Sequence, residues 1–505
     1  MNGIETFLGE AMLASRASRI ALVCGDERTT FSALAHGARA AAGAFQALGV
    51  RPGERVLILM RDTPECAAAW LGAVWAGAVA VALNNKLSEA EYRHILNDSG
   101  AKRLLVEDVF AEARPDLTAE LAREGRIIIA GGNRTDLPAW RDAVRGAREM
   151  PAFAAAPDAP AFMLYSSGTT GRPKGIVHAH RALAHAGGAL RRFGVGADDC
   201  ILATSKFFFA YGLEHALLGP LALGATSILS PDWPTVDTLL DLATRHSPTA
   251  FFSVPTMYRR LLGEGRGRLA PLKSVRRFVS AGESPSASLA QQWRQATGGE
   301  LLNLYGMSET FCACLVTPPG SADGVRTGIP LEGVDVRLEE PAEAGAPGVL
   351  WIRHPAQANA YENRPVETAA QFRDGWFCTR DLFTQDAGGY YLYHGRSDDL
   401  VKIAGQWVQP AELEETVAAL NEVAEAACVA IPDADGLERL ALFIAARPGA
   451  SDPLAAAAEA CERALPRHKR PKWLRVLDRL PRTATGKVQR FKLRELLQAE
   501  LTTKR

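Results

Sequence analysis

The chain has 505 residues, 57 basic side chains balanced by 57 acidic ones, and a composition that is 47% hydrophobic with eight cysteines. This length exceeds one compact core and predicts two to four subdomains. The absence of net charge excludes a general field for nucleic acid or an anionic membrane surface, so any polyanion must be bound locally.

In chain order, the first residues carry Glu5 and Glu10 and no basic stretch leading an apolar core. That pattern predicts no secretory signal and a cytoplasmic protein. Arg55 to Met60 reads as a strand. Ala67 to Leu83 is uncharged and close to membrane-spanning length, yet it is mostly alanine, glycine and valine with two tryptophans. A buried helix running into a strand accounts for it better than a membrane span.

The apolar run Ala161 to Leu164 then leads into Tyr165-Ser166-Ser167-Gly168-Thr169-Thr170-Gly171-Arg172-Pro173-Lys174-Gly175. Glycines allow close backbone approach to a polyphosphate, the hydroxyls donate hydrogen bonds and Lys174 adds a point charge. A Walker loop would place glycine before the lysine and a hydroxyl residue after it, whereas this chain has Pro173 and Gly175 there. The segment therefore reads as phosphate-handling of another kind, with a flexible surface loop as the plain alternative.

Further short apolar runs at Ile201 to Thr204, Thr226 to Leu229, Ala250 to Val254 and Val275 to Val279 recur between helix-like stretches, an α/β pattern. The aromatic run Phe207 and Phe208 reads as core. The eight cysteines show no zinc-type doublets and read as reduced thiols, with Cys312 and Cys314 sharing a face at strand spacing. A hairpin-like segment, Asp386 to Gly395, gives way to Arg396-Ser397-Asp398-Asp399, which predicts a boundary between domains 1–397 and 398–505. The second domain contains the alanine-rich helical stretch Pro453 to Ala464. Its last third is basic, through Arg467, Lys469, Arg470, Lys472, Arg475, Arg482, Lys487, Arg490 and Lys492. A solvated face is the usual meaning of such a run, but in a neutral chain it suggests an anionic ligand.

The eleven residues from Tyr165 to Gly175 resemble the signature of the adenylate-forming superfamily of acyl-CoA ligases, luciferases and adenylation domains. Further segments resemble it in the family's order: Ser280 to Glu283, Tyr305 to Glu309, Trp376 to Asp381, Gly395 to Asp399 and Pro481 to Lys487. The resemblance implies a large multi-subdomain N-terminal α/β domain and a small mobile α+β C-terminal domain that swings about a hinge at Asp398. It also implies ATP, magnesium and coenzyme A as cofactors, and no nucleic-acid or membrane partner; a homodimer is compatible with it.

By that resemblance, Ser166, Ser167, Gly168, Thr169, Thr170, Gly171 and Lys174 hold phosphates, while Ala281, Gly282, Glu283, Tyr305, Gly306 and Ser308 line the adenine side. Ser308 stands where threonine is more usual. Glu309 would be the magnesium ligand, since a hard cation prefers carboxylate and phosphate oxygens. Asp381 would take the ribose hydroxyls as a bidentate acceptor, with Arg380 beside it where glycine is common. Arg396 would contact the nucleotide. Lys487 would be delivered to the reacting carboxylate and α-phosphate, where a preorganised cation stabilises both. Gly405, in Lys402 to Gln409, would line the pantetheine passage, and Arg470 and Lys472 would meet coenzyme A phosphates.

Lys206-Phe207-Phe208-Phe209-Ala210-Tyr211-Gly212-Leu213 is especially similar to benzoate-CoA and anthranilate-CoA ligases. The implied acyl pocket is formed by Ala210, Tyr211, Gly212, Ala281, Gly328, Ile329 and Cys312, a slot for a planar ring. The Glu214-His215 pair and Cys312 depart from the benzoate pattern, so a hydroxylated, aminated or heteroaromatic ring fits as well as benzoate. The expected activity is ATP-dependent aryl-CoA ligation. The alternatives are a stand-alone adenylation enzyme loading an aryl group on a carrier protein, a ligase for a non-aromatic small acid, or a non-catalytic nucleotide-binding scaffold.

Overall fold

The computed structural model describes residues 2–132, 136–167, 172–339, 346–403, 406–418, 420–433, 436–447, 449–482 and 488–503. Two compact units are present. One comprises 1–337, 351–378 and 385–392, the other 338–350, 379–384 and 393–505.

The larger unit contains two mostly parallel sheets. Among the described residues one has nine strands, in the spatial order Ile329–Pro330, Leu315–Val316, Leu301–Tyr305, Arg277–Ala281, Ala250–Ser253, Cys200–Ala203, Thr226–Leu229, Ile20–Cys24 and Glu27–Thr30. The six strands from Leu301–Tyr305 to Ile20–Cys24 run parallel, with antiparallel strands at either edge. The other sheet has seven strands, in the order Ala360–Tyr361, Pro173–Ala179, Pro160–Ser167, Val79–Ala82, Arg55–Leu59, Arg103–Glu107 and Ile127–Ala130. Covered on both faces, such strands are continuous apolar runs rather than alternating ones. Val79–Ala82 is buried at every position, for example.

The uncharged stretch from Ala67 to Leu83 is the helix Pro64–Trp75 running into that strand. Thr63 caps the helix by accepting from the Cys66 amide, Pro64 opens it, and Gly77 at φ +79° turns the chain out. One large apolar core takes residues from both sheets, including Ile58, Ala80 and Phe162 from one and Ile201, Phe252 and Val279 from the other. No helix among the described residues is long and apolar enough to cross a membrane.

In the smaller unit, Val423–Pro432 pairs antiparallel with Glu438–Ala446, which pairs parallel with Trp473–Leu477. Period-two alternation splits this sheet between two cores. Cys428, Leu440, Leu442 and Ile444 enter one, and Ala427, Val429, Ala441 and Phe443 the other. Helices Pro410–Ala418 and Pro453–Ala464 contribute to the first core and Arg490–Thr503 to the second.

Candidate functional site

The C-terminal ends of the parallel strands Ala250–Ser253, Arg277–Ala281 and Leu301–Tyr305 lie side by side, with Ser253 opposite Ser280 and Ala281 opposite Leu304. In open α/β sheets this is the edge where ligands bind. Ala281 and Tyr305 therefore share one rim, followed by the exposed Gly282 and Glu283 and by the Gly306–Ser308 turn. Tyr211 joins the same edge, because its hydroxyl is shared between the carbonyl oxygens of Ser253 at 3.2 Å and Val279 at 3.3 Å. The segment after Thr310 folds back onto it: the Cys314 amide donates to the Tyr305 carbonyl at 2.8 Å. The expected strand spacing of Cys312 and Cys314 is not what forms. Phe311 sits at φ +58°, and both cysteines belong to an irregular turn ahead of strand Leu315–Val316. None of the eight cysteines is in a disulfide.

The segment expected to handle phosphate lies in a hairpin, Pro160–Ser167 with Pro173–Ala179, in which Ser166 is opposite Lys174. Gly168, Thr169, Thr170 and Gly171 lie outside the described residues. Lys174 Nζ stands 3.6 Å from Glu309 Oε1, with both side chains largely buried, and 3.9 Å from the ring centroid of Tyr361. The Tyr361 hydroxyl donates to the same Glu309 oxygen at 2.9 Å and is 2.6 Å from Gln371 Oε1. One phenolic proton cannot serve two acceptors, so the Gln371 amide is assigned with its NH2 toward Tyr361. Among the described residues the buried Ser166 hydroxyl has no hydrogen-bond partner.

His178 holds the turn before Glu309. Its Nε2 lies 2.8 Å from the Ser308 carbonyl and its Nδ1 3.3 Å from that of Ala356, and its ring stacks on Phe162. Burial pushes the imidazole down to about 4, with the two carbonyls opposing only in part. The ring is therefore neutral, its one N–H on Nε2 donating to Ser308. Neither Tyr361 nor His178 was singled out from sequence. His178 carried a faint signal, as a polar residue at an inward position of an apolar strand.

Around the implied acyl slot, Phe207 and Phe208 are core, as expected. Lys206 is buried and its ammonium donates to the carbonyls of Ser230, Pro231 and Asp232, which anchors the start of the aromatic run. Ala210–Gly212 forms a helical turn that continues into the π-helix Leu213–Leu218, a form common at functional sites. Gly212 has a packing reason to be glycine: a Cβ there would lie 2.1 Å from the Lys206 carbonyl oxygen. Gly328, at φ +135°, would place one 2.1 Å from the Val316 carbonyl oxygen, next to the half-buried Ile329. Glycine at both positions is dictated by backbone contact.

Glu214 and His215 are both buried. His215 Nδ1 is 3.0 Å from the Tyr211 carbonyl, its ring packs between Tyr211 and Phe252, and burial pushes it down to about 3. Burial pushes the Glu214 carboxyl up to about 8, with the Ala313 amide, the Cys312 thiol and the Gly187 amide partly opposing. Glu214 is therefore a neutral acid at pH 7.

In the smaller unit, Asp381 is nearly buried, with Arg396 Nη1 3.5 Å from its Oδ1. Burial works against the Arg396 charge, but Asp381 and Asp398 more than offset it and hold the guanidinium above its ordinary value. Asp398 Oδ2 lies 3.4 Å from both Arg396 Nη2 and Arg380 Nη1. Much of the basic run answers acidic partners: Lys469 with Glu412, Lys472 with Asp433, Arg475 with Glu500, Arg482 with Glu425 and Arg490 with Glu414. Arg470 donates to the carbonyls of Leu465 and Glu462. Gly405 and Lys487 lie outside the described residues.

A unit of two mainly parallel sheets, with candidate side chains at the carboxyl ends of its strands, has the architecture in which α/β proteins bind ligands. Residues 10–362 match the AMP-binding enzyme family and residues 412–487 the AMP-binding enzyme C-terminal domain; the chain belongs to this family. It is 40% identical to a 3-hydroxybenzoate-CoA ligase of Aromatoleum sp. (strain CIB), over 99% of this chain and 97% of that one. It is 37% identical to a 3-hydroxybenzoate-CoA/4-hydroxybenzoate-CoA ligase of Thauera aromatica, over 99% and 98%. Its fold matches the crystal structure of the anthranilate CoA ligase AuaEII in complex with anthranoyl-AMP, with a TM-score of 0.91 and 31% identity over 99% of this chain and 98% of that one.

Proposed function

We propose that the protein is an ATP-dependent aryl-CoA ligase. It activates a small aromatic carboxylate as the acyl-adenylate with release of pyrophosphate, then forms the coenzyme A thioester with release of AMP. The observation that carries this reading is the Lys174–Glu309–Tyr361 cluster within the same unit as the Tyr211, Ala281 and Tyr305 rim. The aromatic acids named for the similar ligases support the choice of acid.

A carboxylate has a poor leaving group, and adenylation supplies a good one. In this reading Ser166, Ser167, Gly168, Thr169, Thr170, Gly171 and Lys174 cradle the departing β and γ phosphates. Ala281, Gly282, Glu283, Tyr305, Gly306 and Ser308 flank the adenine, Asp381 takes the ribose hydroxyls and Arg396 contacts the nucleotide. Both observed side-chain partners of Glu309 engage Oε1, and its carboxylate is the hard donor that magnesium requires. A magnesium ion held there would neutralise phosphate charge. With magnesium bound there, Lys174 would be the cation left to face phosphate, since two cations on one carboxylate repel.

Lys487 serves the first half-reaction only, bringing a cation to the carboxylate and α-phosphate. A hinge at Asp398 between domains 1–397 and 398–505 then exchanges Lys487 for the segment around Gly405. Arg470 and Lys472 are assigned to coenzyme A phosphates, which requires Lys472 to leave Asp433, 2.9 Å away. The acyl slot comprises Ala210, Tyr211, Gly212, Ala281, Gly328, Ile329 and Cys312.

The test offers purified protein a panel of benzoate, hydroxybenzoates, aminobenzoates and short aliphatic acids, with ATP, magnesium and either coenzyme A or a phosphopantetheinylated carrier protein. Aryl thioesters of free coenzyme A are expected. Transfer to the carrier alone favours an adenylation enzyme, and conversion of aliphatic acids alone refutes the aromatic assignment.

A further inference from the structure

Glu214 is a buried carboxyl that nothing in the proposed two-step reaction uses. It opens the second turn of the helical stretch that begins at Ala210, so the two share one face at a spacing of four residues. Among the described residues its buried Oε1 has no partner at full hydrogen-bond geometry, although the Ala313 and Gly187 amides and the Cys312 thiol lie near enough to the carboxyl to oppose its rise; native interiors rarely leave such an atom unexplained. His215, beside it, has its Nδ1 3.7 Å from Glu214 Oε2 and 3.0 Å from the Tyr211 carbonyl, with its ring against Tyr211 and Phe252.

Glu214 also lines a cavity of about 380 Å³ whose walls include Cys312, Leu331 and His354 together with the charged Arg191, Arg192 and Glu332, a volume in the range of small-ligand sites. Cys312 belongs both to this wall and to the turn packed on Tyr305 and Gly306. Of the residues assigned to the acyl slot, Cys312 lines this cavity.

We propose that Glu214 reads the ring substituent of the acid, its carboxyl forming a hydrogen bond with a phenolic hydroxyl meta or para to the reacting carboxylate. The inference rests on the aryl-acid reading of the same site. A protonated carboxyl is both donor and acceptor, as is a phenol, so either can supply the proton and no charge enters the slot. An unsubstituted ring leaves Oε1 unpaired, and an apolar residue at 214 would serve such a ring better. Discrimination by an apolar wall is weak, whereas a buried polar group left unpaired rejects the analogue lacking its partner.

The test measures kcat/KM of the full-length protein for benzoate, 3-hydroxybenzoate and 4-hydroxybenzoate, comparing wild type with Glu214→Gln and Glu214→Leu. The ratio for the preferred hydroxybenzoate over benzoate falls about tenfold or more in Glu214→Leu and stays within about threefold in Glu214→Gln, whose amide still accepts a hydrogen bond. If Glu214→Leu does not fold, Glu214→Met replaces it with the same expected ratio. A ratio unchanged in the apolar variant overturns the inference and leaves the ligase reading intact. Wild-type protein that converts no aryl acid overturns the ligase reading, and the inference with it.

Discussion

Arg380 Nη1 reaches Asp398 Oδ2 at 3.4 Å from a backbone held at φ +60° within the strand Trp376–Gln385, and the Ser397 hydroxyl donates to the Arg380 carbonyl at 3.0 Å. The left-handed conformation favours glycine, the residue that the superfamily commonly carries beside its ribose-binding aspartate. Arginine is accepted here with its side chain turned toward Asp398, the proposed hinge residue.

Replacing Arg380 therefore separates strain from pairing. Arg380→Gly relieves a backbone cost of about 1 kcal/mol, while the exposed ion pair contributes about 0 to 1 kcal/mol. Arg380→Ala keeps the strain and loses the pair. Urea denaturation should find Arg380→Gly more stable than Arg380→Ala by about 1 kcal/mol; equal stabilities would contradict the account.

Tyr361 positions Glu309. Tyr361→Phe removes a hydrogen bond to a carboxylate and leaves the ring beneath Lys174. The expected loss in kcat/KM for adenylation is about tenfold, with a higher magnesium concentration for half-maximal rate. An unchanged magnesium dependence would show that the phenol has no part in placing the carboxylate.

His215 sets part of the response to acid. Its folded value is pushed down to about 3 by burial, so below about 6.5 the unfolded chain binds a proton that the folded chain refuses. Stability from this residue is whole above that pH and falls by about 1.4 kcal/mol per pH unit below it. Glu214, raised to about 8 by burial, acts oppositely, losing stability as pH rises from the ordinary glutamate value through 8. Comparison with His215→Phe isolates the histidine: stability lost between pH 7 and pH 5 should be about 2 kcal/mol smaller in the variant. Identical losses would mean that His215 is charged in the folded protein at pH 5.

Lys487→Ala should block formation of the acyl-adenylate, by on the order of 10²- to 10³-fold, yet still convert a supplied acyl-adenylate and coenzyme A into thioester. Loss of both half-reactions would contradict the assignment of this lysine to the first.

Periodic features were legible in the sequence. The runs at 55–60, 201–204, 226–229, 250–254 and 275–279 are strands because both-face burial demands continuous apolar residues, and Pro453–Ala464 is a helix. Features set by distant contacts were not. Tyr361 meets Glu309 from 52 residues away, through the pairing of Ala360–Tyr361 with Val177 and Ile176. The ion pairs of the basic C-terminal run were hidden because its acidic partners are remote in sequence, Glu412 for Lys469 and Glu414 for Arg490. The packing of the Lys206 carbonyl against Gly212 was equally hidden, because that contact depends on how the segment turns.

Product analysis tests the central claim most directly. Wild-type protein with a panel of small aromatic acids, ATP, magnesium and coenzyme A should yield AMP, pyrophosphate and an aryl-CoA thioester in equal amounts. Formation of ADP and phosphate, or consumption of ATP with no aryl thioester, would contradict it.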